Sequence, residues 1–133
     1  MAIIKGFTSL EQSKKLAEIL PLESADMVYV HTVDIEGDEH YDIDFRNNQP
    51  LFEDDISAWS LAALLSVLPF HLITNNQRYA FNMHKGLDKD GETYMFRYNV
   101  FNTDVCLYST DYYNNPIDAT FEIILKLKEL NLL

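Results

Sequence analysis

Residues 27–45 read MVYVHTVDIEGDEHYDIDF. Met27–Ile35 is rich in Val, Tyr, Thr and Ile, which suit a pleated surface, and predicts a strand. Tyr41, Ile43 and Phe45 then alternate with Asp42, Asp44 and Arg46. That period of two predicts a half-buried strand. Between the runs, Glu36-Gly37-Asp38-Glu39 supplies a turn, with Gly37 free to take a positive φ. Strands joined by so short a turn run antiparallel. The fold therefore grows from a hairpin, with acidic side chains at its tip and on the outer face of its second strand.

On the N-terminal side, Thr8-Ser9-Leu10-Glu11 fits a capping box and opens a helix that runs to about Leu20, where Pro21 stops it. Leu10, Leu16, Ala17 and Leu20 form its apolar stripe. On the C-terminal side, Asn47–Pro50 is predicted as a loop. Glu53-Asp54-Asp55 then precedes a helix over about Ile56–Leu68, where acids complement the macrodipole. That helix is apolar nearly all round, with Ala58, Ala62 and Ser66 as a small-residue stripe, and is expected to be the central buried helix.

Arg78–Met83 and Glu92–Val100 alternate as strands about the turn Asp88-Lys89-Asp90-Gly91, and Val105–Ser109 adds a further short strand. Asn115-Pro116 caps a closing helix presenting Ile117, Phe121, Ile124, Leu127 and Leu130, with Lys126 and Lys128 late in it. The order is α-β-β-α-β-β-β-α. Hairpin-length connections and no βαβ alternation predict an α+β fold. It is expected to be one antiparallel sheet of about five strands with three helices on one face.

The chain has 133 residues, a length that predicts a single domain over 1–133. It is 47% hydrophobic and 23% charged, an ordinary globular balance. Ten Lys and Arg against 21 Asp and Glu give a net charge of −11. Direct nucleic-acid binding through the phosphate backbone needs a basic footprint and is not expected. Residues 34–55 hold nine of the acids and one base, so this short segment carries −8 of the total. One cysteine, Cys106, rules out an internal disulfide and fits a cytoplasmic protein. Met1–Gly6 is not followed by an apolar run, so no signal peptide is expected. Leu61–Leu68 is too short to span a membrane.

No catalytic motif emerges. Asp34-x-Glu36-x-Asp38 and Asp88-x-Asp90-Gly91 both fail the calcium-loop spacing and read as hairpin turns. His31, His40, His71 and His84 form no helical zinc pair. His31 and His40 lie on opposite arms of the hairpin, where one register could bring them together. Cys106 on a strand reads as a small core residue. No nucleophile elbow or phosphate-binding glycine loop is present. The chain is therefore not expected to be an enzyme, and no cofactor or metal site is assigned. The aromatics at Tyr79, Phe81, Tyr94, Phe96 and Tyr98 stand among few bases and read as a core face, not a base-stacking surface. Tyr112-Tyr113 is expected to be partly exposed.

Three blocks carry a resemblance. They are Lys5-Gly6-Phe7-Thr8 through Leu20-Pro21-Leu22-Glu23-Ser24-Ala25-Asp26-Met27, then Trp59 to Pro69, then Asn115-Pro116-Ile117-Asp118-Ala119 to Leu133. Together they resemble a family of short proteins of gut bacteria, their phages and other mobile elements. The resemblance implies no activity, cofactor or catalytic residue. It implies a small self-contained protein and adds weight to a role in host interaction.

The residues that ask for a function are Asp34, Glu36, Asp38, Glu39, Asp42 and Asp44, the candidate partner-binding hairpin. The preferred expectation is a non-catalytic protein that binds another protein, as a monomer or homodimer. The alternatives are an acidic nucleic-acid mimic that occupies a basic DNA- or RNA-binding protein, and a small ligand-binding domain or enzyme. A mimic needs carboxylates in a duplex-like row. A ligand-binding domain needs a pocket with convergent polar groups, lined by His or acidic side chains.

Overall fold

The hairpin forms as expected. In the computed structural model, which describes residues 5–47 and 51–133, Met27–Val33 (β1) pairs antiparallel with Glu39–Phe45 (β2). Of the loop expected at Asn47–Pro50, Asn48–Pro50 lies outside the described residues, as does Met1–Ile4 of the N-terminal stretch. The described residues form an α+β structure with three α-helices and two antiparallel sheets, of three and four strands, instead of one sheet of about five. They divide into two compact units. One is Gly6–Leu64, and the other is Leu65–Leu133 with Lys5.

The first unit holds helix α1 (Leu10–Ala17) and a sheet in the order β2-β1-β3, where β3 is Ile56–Ala58. Two expectations are corrected here. The capping box lies one residue later than expected. Ser9 accepts from Gln12 N, and the Gln12 side chain accepts from Ser9 N. Thr8 is fully buried instead. Its Oγ1 is 2.7 Å from Ser13 Oγ and accepts from Trp59 N at 3.1 Å. The helix expected over Ile56–Leu68 is in fact strand β3 followed by helix α2 (Leu61–Val67). Ala58 pairs with Met27 in the sheet, so the small-residue stripe does not exist. Ser60 sits where the helix begins, its Oγ accepting from Ala63 N and its own N–H donating to Asp26. Glu53-Asp54-Asp55 therefore lies in a turn before a strand, and Asp55 accepts from Phe52 N. In α2 only Leu64 is buried, so it is not the central core helix. That place belongs to Trp59, fully buried just before α2, whose Nε1 donates to Ser24 Oγ at 2.9 Å.

The second unit holds a sheet in the order β4-β5-β6-β7, formed by His71–Thr74, Gln77–Asp88, Gly91–Asn99 and Cys106–Ser109. Strand β4 was not expected. It is made by a two-residue turn at Asn75 and Asn76, with φ of +52° and +63°. This left-handed pair matches the twist of a hairpin, and asparagine tolerates it. Helix α3 (Pro116–Glu129) starts as expected. The Asn115 side chain accepts from Ile117 N, and Pro116 takes the first turn. Its Ile117, Ala119, Ile123, Ile124 and Leu127 are fully buried, and the helix packs on β6, whose Phe96 and Tyr98 are also fully buried. Lys5 reaches Asp118 of this helix at 2.9 Å. Cys106, expected in the core, is exposed on the edge strand β7.

Burial marks the tyrosines of this unit. Tyr98 donates to Pro69 O at 2.6 Å, and burial pushes its phenol far above the ordinary value. Tyr108 is pushed up to about 12, by burial first and then by the Glu122 carboxylate. A raised folded-state value means the folded chain holds the proton more tightly than the unfolded chain. That stability is present below pH ~10, where unfolded tyrosine is still protonated, and is lost as pH rises through the folded-state values. Alkaline titration of the native protein at the phenolate absorbance should show Tyr108 ionising near pH 12 and Tyr98 later, with stability falling above pH ~10. Eight tyrosines titrating together near pH 10 in the folded state would contradict this burial.

Candidate functional site

The expected site residues all lie on the β1–β2 ribbon and its turn. Asp34 is committed to the turn. Its Oδ1 accepts from Glu36 N and Asp38 N, both at 2.9 Å, while Gly37 takes φ +86°. The Asp42 carboxylate accepts from Thr32 Oγ1 at 3.2 Å and lies 3.3 Å from His40 Nε2. Glu39 lies 3.7 Å from His31 Nε2. Asp44 accepts from Phe45 N. Among the described residues the carboxylates of Glu36 and Asp38 make no hydrogen bond or ion pair, and all six acids are exposed.

The ribbon is more exposed than its alternation suggests. In β2 only Ile43 is half-buried, and Phe45 is 68% exposed. The strand lies at the sheet's edge, so among the described residues its outer backbone groups meet no neighbouring strand, and neither of its faces is well covered. At the tip, Ile35 is fully exposed among Asp34, Glu36 and Asp38. Val33 beside it is 55% exposed. The ribbon is thus acidic and apolar at once.

The register decides the histidines. His31 pairs with Tyr41, and His40 pairs with Thr32. Neighbouring positions on paired strands point to opposite faces, so the two imidazoles do not meet. The His31 ring instead lies 5.3 Å from the Tyr41 ring. Among the described residues no three His, Cys, Asp or Glu side chains gather into a metal-binding group.

A second feature escaped the sequence reading. It is a half-open groove of about 760 Å³ on the four-stranded sheet, wholly within the second unit. The alternation of β6 explains it. Tyr94, Phe96 and Tyr98 point to one face, while Thr93, Met95, Arg97 and Asn99 point to the other. Asn82 lies directly opposite Arg97 on β5, and Ser109 lies opposite it on β7. His84 pairs with Met95, one diagonal step from Arg97. The groove is lined by Arg97, Asn82, His84 and His71, with Phe70 and Phe101 at its rim and Asp104 in its wall. The Asn99 amide donates to the carbonyls of Val100 and Thr103, which fixes that wall. The one sequence signal was a single base on the polar side of an otherwise aromatic strand.

No protein-family model, no curated protein and no solved structure matches this chain. Among the described residues no helix is long and apolar enough to cross a membrane.

Proposed function

We propose that the protein is a non-catalytic binding protein whose acidic β1–β2 ribbon docks on a basic surface of another protein. The observation that carries this reading is Ile35. It is a fully exposed isoleucine at the tip of a ribbon whose turn is closed by Asp34 and Gly37 without it. Burying such a side chain recovers roughly 1.5–3 kcal/mol, which contact with a partner supplies. The carboxylates around it favour a partner rich in Lys and Arg and speed the encounter. They also oppose pairing with a second copy, because Glu39, Asp42 and Asp44 would face like charges along the open β2 edge.

The mimic reading asks for a longer row. On the face of β2 that carries Asp42 and Asp44, the next side chain toward the turn is His40, so the row is two carboxylates long. This supports a protein surface over a nucleic-acid-binding cleft. The resemblance of the three helical blocks to mobile-element proteins is the reason to seek the partner among host proteins.

The test is quantitative capture of a basic protein by the wild type, by Ile35→Ala and by Glu36→Lys/Asp38→Lys. All three positions are exposed, so the fold should be kept. Ile35→Ala is expected to weaken binding by roughly 10- to 100-fold, the fold-equivalent of that burial. The charge reversal is expected to slow association and remove its salt dependence. A partner retained equally by all three proteins would exclude the ribbon. A partner stripped by duplex DNA would point to the mimic reading instead.

A further inference from the structure

We propose that the groove on the four-stranded sheet binds a small carboxylate carried on an apolar ring, with Arg97 as its anchor. The argument starts from charge. In a chain with 21 acidic residues, Arg97 has no carboxylate within ion-pair distance among the described residues. Its Nε is buried and finds no hydrogen-bond acceptor there either. Buried polar groups are nearly always satisfied, and Arg97, half-buried in the groove lining, carries one that is not. A guanidinium with no counter-charge, lining a groove, is therefore a feature that asks for a partner. Its two terminal nitrogens, Nη1 and Nη2, match the two oxygens of a carboxylate, donating in parallel to both.

The surroundings set the ligand's size and class. A groove of about 760 Å³ lies within the range of small-molecule sites. Asn82, directly across from Arg97, offers a second donor to the same oxyanion, and its own amide makes only a long contact of 3.5 Å with Asn99. His84 adds a third polar group one step along the sheet. At the rim, Phe70 and Phe101 are 76% and 77% exposed, two aromatic faces that an apolar ring would cover. Asp104, an exposed carboxylate in the lining, opposes negative charge and so disfavours a phosphate dianion more than a monoanion. The wall is held by Asn99, so the groove is formed before any ligand arrives.

The test is a titration of the full chain with sodium benzoate, phenyl phosphate and inorganic phosphate, read by NMR at Arg97 Nε–H and the His84 ring. Benzoate is expected to shift both saturably, with a dissociation constant on the order of 1 mM, as suits a fragment-sized ligand. Arg97→Gln should weaken it by about 10-fold or more. Arg97→Lys, which keeps the charge and loses the fork, should weaken it too. Lys89→Gln, an exposed position in the β5–β6 turn outside this groove, should leave it unchanged. Unaltered amide spectra away from the groove show that each variant is folded. If Arg97→Gln fails to fold, Asn82→Ala gives the same reading of the site, with a smaller loss. Absence of a saturable benzoate shift, or an unchanged affinity in Arg97→Gln, would overturn the proposal. Preference for phenyl phosphate would overturn the carboxylate class.

Discussion

Trp59→Ala is expected to lower the unfolding free energy by about 3–5 kcal/mol, the range for removing a large aromatic from a core. Trp59 is fully buried, and its backbone is fixed at both ends. Its N–H donates to Thr8 Oγ1, and its carbonyl accepts from Thr8 N at 2.9 Å. The surroundings are therefore poorly able to collapse into the space left behind. The indole N–H also satisfies Ser24 Oγ, a bond that truncation deletes. Trp59→Phe keeps much of the volume and loses the polar bond and part of the ring system, so it should cost less than Trp59→Ala. Chemical denaturation followed by circular dichroism checks both. A loss below about 1 kcal/mol for Trp59→Ala would show that the indole is not packed. For a chain whose total stability is about 5–15 kcal/mol, the expected loss removes a large share of it.

Phe96→Ala should cost a similar amount, about 3–5 kcal/mol, in the second unit. Phe96 is fully buried on β6 and stacks on Phe81 across the sheet, with ring centroids 5.3 Å apart and planes at 26°. Its N–H donates to Thr110 Oγ1, which holds the segment after β7 against the strand. Such a ring pair adds about 0.5–1.5 kcal/mol to simple burial. Phe81 is only half-buried, so Phe81→Ala should cost less, and a double-mutant cycle isolates the stacking. A coupling energy near zero would mean that the rings contribute area alone. Trp59→Ala, in the same unit as the ribbon, is expected to lower stability and ribbon binding together. Ile35→Ala is expected to change binding with stability held within about 0.5 kcal/mol, because it is a surface substitution.

The hairpin was legible because its signals are local. Alternation of period two, a glycine at the turn and β-branched residues all act within a few positions of one another. The closing helix was legible for the same reason, since Asn115 and Pro116 mark its start by their own chemistry. The run from Ile56 to Leu68 was not. Trp59, Leu61, Leu64, Leu65 and Leu68 suit a buried helix by composition, and nothing local says that Ile56–Ala58 will pair with β1. That pairing follows from Asp26, which holds Ser60 by both its N–H and its hydroxyl and so sets the helix start beyond the strand. The capping box moved by one residue because Thr8 is drawn inside, to Ser13 and Trp59, which leaves Ser9 to cap the helix.

The candidate sites divide in the same way. Acid clustering is a property of composition along the chain, so the sequence alone determined where the negative charge of this protein sits. It also placed six of those acids, Asp34 to Asp44, on a ribbon of two antiparallel strands. Only the tertiary structure decided that β2 is an edge with both faces open, that Ile35 stands fully exposed at the tip, and that His31 and His40 point apart. Only the tertiary structure, likewise, singled out Arg97. An arginine on the polar side of a strand looks like any solvated base until its neighbours are known. Whether its charge is paired depends on residues far away in sequence, because the partners of a buried group are brought to it by strand register and not by the chain beside it.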